Sequence, residues 1–158
     1  MLFARTQKAQ DKVEAIDSYD KWLVIAGSPA NPQGLLEYGQ VLESSGHYAR
    51  ALEQFEAAFD ALTQDRPTLT RARLRFEKAR LLLAVDPENS DGMTEFSRAI
   101  EDGFADTDAI GAVLSDERIK SDNRDEIRRV WNDILIRERE AAAQESETDE
   151  NEGESGAS

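Results

Sequence analysis

Apolar side chains recur along this chain at steps of three and four, the spacing of a helical face and not the alternation of a strand. The clearest run is Tyr48, Ala51, Leu52, Phe55, Ala58, Phe59 and Leu62, preceded by Leu35, Gly39 and Leu42 and by the turn Gly46, His47, Tyr48. These positions predict two helices folded back on each other. Helices approach closely only where a side chain is small; Gly39 and Ala51 supply that space, and Tyr48 and Phe55 fill what remains. Asn31-Pro32 predicts the start of the first helix, a good N-cap followed by a proline where no N–H is required.

The same periodicity marks the flanks. Val13, Ile16, Tyr19, Leu23 and Ala26 predict a helix of roughly 20 residues that stops at Gly27, Ser28 and Pro29. After Pro67, Leu69, Ala72, Phe76, Ala79 and Leu83 predict a long helix ending near Val85, ahead of the turn Asp86-Pro87-Glu88-Asn89. Met93, Phe96, Ala99 and Ile100 mark the next, closed by Gly103 as a left-handed C-cap. Ala109, Ile110, Val113 and Leu114 mark a short helix capped by Asp106 or Thr107. Ile127, Val130, Trp131, Ile134 and Leu135 mark a final one opened by Asp122 or Asn123.

The offsets Leu35, Gly39, Leu42 and Ala51, Phe55, Ala58 resemble the tetratricopeptide repeat, a helix-turn-helix unit of about 34 residues, with Pro32 to Asp65 as one copy. Ala15, Tyr19 and Trp22 repeat the offsets of a second repeat helix. Phe96 and Ala99 match a degenerate second copy, in which Ala79 takes the small position if the Asp86 to Asn89 turn carries one extra residue. The resemblance implies an all-α, right-handed superhelix: a solenoid of about two repeats, preceded by one helix and closed by a short helix and a capping helix. A terminal unit has to cover its neighbour's apolar face while presenting a polar one to water. The resemblance also implies that the first helix of each repeat lines a concave groove. Gln33, Glu37 and Gln40 of the first repeat and Arg73, Glu77 and Arg80 of the second are the candidate groove residues. One subclass of these repeats holds the C-terminal carboxylate of chaperones with a lysine, asparagine and arginine clamp. Leu36 and Gln40 stand where its first lysine and asparagine belong, so that role is not expected.

Charge narrows the partners. The formal charge is -14, which disfavours nucleic acid and anionic lipid, since both require a basic footprint. Residues 144–158 carry six of these charges with no base and few apolar side chains, and are expected to be a disordered acidic tail behind a single helical domain over 1–143. No apolar run of about 18 residues exists, so direct membrane insertion is not expected. The start, Met-Leu-Phe-Ala-Arg, has neither the basic n-region nor the apolar h-region of a signal peptide, which makes the cytoplasm the expected compartment. Comparison with the genomic reading frame decides whether Leu2-Phe3-Ala4 is the remnant of an anchor on a longer parent. With no cysteine, disulfides, thiolate nucleophiles and cysteine metal sites are all excluded.

Little catalytic chemistry is available. His47 is the only histidine and falls in a tight turn with no serine or carboxylate in a triad-like context, so no catalytic residue is nominated and no cofactor is expected. Gly27 to Gly34 contains two prolines and no lysine and cannot form a phosphate-binding loop. Asp106, Asp108, Gly111 and Glu117 fall at calcium-loop positions one, three, six and twelve. Position five is Ile110, which offers only methyl groups, so no metal is expected. Arg66, Arg73 and Arg80 recur every seven residues and predict a column on one helix, able to grip carboxylates of an acidic peptide or of the chain's own tail. Glu77, four after Arg73 and three before Arg80, offers the plainer alternative of surface ion pairs.

The expected function is therefore a non-catalytic scaffold that binds a peptide or helix of a partner protein. The alternative is a structural or assembly subunit that self-associates or docks through its terminal helices, weak homo-oligomerisation included. Trp22 and Trp131 discriminate between them, because burial would close the ends and exposure within an apolar patch would favour association.

Overall fold

Every segment with this periodicity is a helix in the computed structural model, which describes the backbone of residues 2–27 and 30–154 and the side chains of 8–27 and 30–144. The helices are α1 (Leu2–Ala26), α2 (Pro32–Ser44), α3 (Tyr48–Ala61), α4 (Arg71–Val85), α5 (Asp91–Glu101), α6 (Thr107–Leu114) and α7 (Ser121–Glu154). The all-α expectation holds. Outside the helices, Arg66 and Leu69 exchange two backbone hydrogen bonds across a turn, 2.8 and 3.1 Å. Contacts divide the chain into two compact units, one through Phe104 and one from Ala105.

Start and stop chemistry matches the sequence closely. Asn31 Oδ1 accepts from the Gln33 amide at 3.0 Å, with Pro32 as the first helical residue. Thr70 Oγ1 accepts from Arg73 N at 3.0 Å and Asp106 Oδ1 from Ala109 N at 2.9 Å, so α4 and α6 each have a side-chain cap. Gly27, Gly46 and Gly103 take positive φ angles of 67°, 82° and 95°, the left-handed geometry that lets a helix end and the chain turn. Ser28 and Pro29 lie outside the described residues.

In the first unit α2 folds back on α3, and α4 on α5, with α3 packed against α4 and α1 against α2. The joint of the first hairpin is Gly39 on Phe55: a Cβ at Gly39 would stand 2.4 Å from Phe55 Cε1, so only hydrogen fits. Ala51, Phe55 and Ala58 are fully buried together with Tyr38, Leu42 and Leu62. The second hairpin repeats the device through Gly92, where a Cβ would meet Leu83 at 2.9 Å, with Ala79, Phe96 and Ala99 buried around it. Ala79 and Gly92 are thirteen residues apart, and Gly39 and Ala51 twelve. Phe76 stacks on Phe104, ring centroids 4.1 Å apart, to close the unit.

Two expectations change. Tyr48 is exposed and does not fill the first joint, since Phe55 already occupies the space at Gly39. Val13 is exposed as well; Ile16, Tyr19, Trp22 and Leu23 are the α1 residues packed against the core. The helix α7 runs without a break through 143/144 to Glu154. Ala141, Ala142 and Ala143 have the highest helix propensity, and no glycine or proline follows before Gly153. Residues 155–158 lie outside the described residues.

In the second unit α6 packs against α7, and Ile110, Val113, Ile119, Ile127 and Ile134 are buried. Trp131 is half-buried, its indole N–H donating to the Thr107 carbonyl at 3.0 Å.

Candidate functional site

The six candidate groove residues separate into two groups with different chemistry. On α4, Glu77 sits at the centre of a charge network. Arg73 Nε donates to its Oε1 at 3.1 Å, and Arg80 donates to its Oε2 from Nε at 3.2 Å and from Nη2 at 3.0 Å. Arg80 also reaches across to α2, where Nη1 and Nη2 grip the two oxygens of Glu43 at 2.6 and 2.5 Å in a bidentate pair. The side chains of Arg80, Glu43 and Glu77 are only 22%, 14% and 6% exposed. Burial works against the Arg80 charge, but the hydrogen bonds and charges of Glu43 and Glu77 outweigh it and hold the guanidinium above the ordinary arginine range.

Arg80 and Glu77 are therefore neither a free carboxylate grip nor a loose surface pair; they tie the first hairpin to the second. Arg66 does not belong to the column, because α4 begins at Arg71 and Arg66 lies in the preceding turn, its backbone paired with Leu69. A sevenfold spacing places residues on one face only where the helix is continuous.

A second polar cluster joins α1, α2 and α3. The fully buried Tyr38 donates its hydroxyl to Asp20 Oδ1 at 2.5 Å, Arg50 donates to the same oxygen at 2.8 Å, and Arg50 also donates to the Tyr38 hydroxyl. Burial, and then the hydrogen bond to Asp20, push the Tyr38 phenol up to about 12 against the opposing pull of Arg50. The unfolded phenol titrates near 10, so the folded state holds its proton more tightly. This stabilisation is complete below about pH 10 and is lost as the pH rises through about 12. Thermal melts between these values are expected to show a falling midpoint, with a shallower fall in Tyr38→Phe; equal slopes would contradict the cluster's role.

Gln33 and Glu37 face a groove between α1 and α2. It is lined by Ser18, Tyr19 and Trp22 of α1 and by Asn31, Gln33, Gly34 and Glu37, and encloses about 380 Å³. Gln33 Nε2 donates to Glu37 Oε1 at 3.0 Å, and the Tyr19 hydroxyl approaches Glu37 Oε2 at 3.5 Å. Burial, then the charge of Glu37, raise the Tyr19 phenol above its usual range, so it remains a donor. Tyr19 stacks on Tyr38 with centroids 5.0 Å apart and meets Trp22 edge-on at 6.2 Å. The Trp22 ring lies over Gly34, where a Cβ would come within 2.7 Å of it. Gly34, inside the first turn of α2, thus serves close approach to α1. Gln40 is exposed further along α2.

Another cavity, about 210 Å³ between α3, α4 and α5, is lined by Phe55, Phe59, Arg75, Lys78, Arg98 and three acids. Two ion pairs lie within it, Lys78 to Glu56 at 3.2 Å and Arg98 to Glu95 at 3.0 Å. Arg75 Nε stands 2.9 Å from Asp102 Oδ2 at an angle too bent for a hydrogen bond, a contact held by charge. The single histidine, His47, stands exposed at the start of α3 and makes no side-chain cap hydrogen bond. No helix among the described residues is long and apolar enough to cross a membrane. Compared with family models, with curated proteins and with solved structures, the chain matches none.

Proposed function

We propose that this chain is a non-catalytic scaffold of tetratricopeptide-like repeats, a right-handed solenoid that takes an extended segment or helix of a partner protein. The observation that carries the reading is the open groove beside α2, where Gln33 and Glu37 stand with Tyr19 and Trp22. Polar groups that fix a backbone beside aromatic anchors are the usual composition of a peptide site. The repeated small-residue joint, Gly39 with Phe55 and then Gly92 with Leu83, supports the solenoid part. Arg80 and Glu77 serve this scaffold as the tie that fixes its two hairpins, so the α4 share of the recognition surface is reduced to the partly exposed Arg73. Area in such a groove is limited, and affinities are expected to be about micromolar.

A pull-down with the whole chain tests this. Proteins captured by the wild type are expected to be lost with Gln33→Arg/Gln40→Arg and kept with Glu53→Arg, an exposed position on α3. Identical sets for all three would contradict it.

One observation favours a second reading, assembly through a terminal helix. Val24 and Ile25 near the end of α1 are 85% and 84% exposed, an apolar pair left in water. If α1 is an assembly surface, sedimentation velocity will show concentration-dependent association that Val24→Ser/Ile25→Ser abolishes. A monomer at every concentration would remove this reading.

A further inference from the structure

The groove between α1 and α2 points to one chemistry for what it holds: we propose that it seats a lysine or arginine side chain of a partner protein, with Glu37 as counter-ion and Tyr19 and Trp22 as walls. The inference rests on the scaffold reading and narrows it.

Glu37 is the reason. It is exposed, and its two partners, the Gln33 amide and the Tyr19 hydroxyl, are both neutral. Three nearby acids are matched within the chain: Asp17 to Lys21, Asp20 to Arg50, and Glu43 to Arg80. Among the described residues no lysine or arginine pairs with Glu37, so the groove holds a carboxylate without its cation.

The walls suit the same guest. Tyr19 and Trp22 are half-buried and set edge to face, and Gly34 lets the indole lie down on α2 and fixes its position. Indole and phenol faces attract cations, most strongly where water is partly excluded. Two of the remaining polar groups offer acceptors to such a guest, beside Asn31, whose Oδ1 accepts from the Gln33 amide and whose side-chain N–H groups remain donors. Gln33 spends an N–H on Glu37 and keeps its carbonyl oxygen, and Ser18 donates to the Glu14 carbonyl and keeps its lone pairs. An anionic guest would meet Glu37 and these acceptors, whereas an ammonium or guanidinium finds a counter-ion, acceptors and aromatic faces in about 380 Å³. The charge of -14 adds long-range attraction for a basic segment without selecting where it binds. The test must therefore separate this groove from general charge.

Trp131→Phe leaves Trp22 as the only tryptophan and gives a local reporter. The probe is a nine-residue Gly-Ser-Arg repeat peptide, with its citrulline and glutamate counterparts as controls, in about 0.15 M salt. The arginine peptide is expected to change Trp22 fluorescence saturably and the two controls to leave it unchanged. Glu37→Gln should weaken binding by about two- to fivefold, consistent with loss of one partly screened charge pair. Glu53→Gln removes an exposed acid elsewhere and should not weaken it, and circular dichroism melts should match for both variants. Equal binding of the citrulline peptide, equal binding by Glu37→Gln, or no saturation up to about 1 mM would overturn the proposal. Failure of the scaffold reading looks different: Gln33→Arg/Gln40→Arg would then lose no captured partner. If that variant loses partners while Glu37→Gln keeps them, the scaffold stands and the cation site falls.

Discussion

Replacing Phe55 with alanine is expected to destabilise the α1–α5 unit by about 3–5 kcal/mol, the range for truncating a fully buried phenylalanine. Its ring is the filler of the joint between α2 and α3, set directly against Gly39. The converse change overfills the joint. In Gly39→Ala the new methyl would stand 2.4 Å from Cε1 and 2.6 Å from Cδ1 of a ring fully buried from solvent. Overpacking of this kind costs about 1–3 kcal/mol, against about 1 kcal/mol returned by the better helix propensity of alanine. The pair should also couple: Gly39→Ala in a Phe55→Leu background should be markedly less harmful than in the wild type. Urea unfolding followed through Trp22 in a Trp131→Phe chain isolates the relevant unit. Additive effects, or a Phe55→Ala loss below about 1 kcal/mol, would mean that the hairpin is not held at this joint.

The second large effect belongs to Arg80. Arg80→Ala leaves Glu43 and Glu77 facing each other across the two hairpins with little access to water. Breaking a buried pair from one side costs about 3–5 kcal/mol, and the partial exposure of Arg80 brings the expected loss to about 2–4 kcal/mol. Arg80→Lys should recover only part of it, because one ammonium cannot reproduce the two parallel hydrogen bonds to Glu43. The triple change Glu43→Leu/Glu77→Leu/Arg80→Met removes all three charges together and should be less harmful than Arg80→Ala alone. The same urea titration decides: a triple variant weaker than the single would show that the network contributes more than its unpaired charges cost.

How far the sequence carries can be seen at particular residues. The first hairpin was legible because one short segment contains its own periodicity, its small residues and both end signals. Asn31, Pro32, Gly39, Gly46, Ala51 and Phe55 each act as expected. The second hairpin was harder to register, since its small residue on α5 is Gly92, a glycine near a helix start that reads equally well as turn chemistry. Arg66 misled because a repeat of seven carries no information about where a helix begins; Thr70 and its bond to Arg73 N decide that.

Glu77 was legible as a partner of Arg73 and Arg80, but not as buried. Its environment is made by Glu43, 37 residues from Arg80 in sequence and beyond the reach of any helical spacing rule. The site between α1 and α2 was half visible. Gln33 and Glu37 are placed from α2 alone, whereas Tyr19 reads as a stripe position of α1 and Trp22 as a repeat offset whose burial tests the closure of the ends. Gly34 is the signal that could have joined them, a glycine inside the first turn of a helix where alanine would be the better former.

Hydrogen–deuterium exchange on the complex with the most strongly captured partner tests the central claim most directly. Binding through the open groove predicts slower exchange in α2 around residues 33–40 and in α1 around residues 18–22, with α5 and α7 unchanged. Protection confined to α5 or α7, with the α1 and α2 segments exchanging as in the free chain, would contradict it.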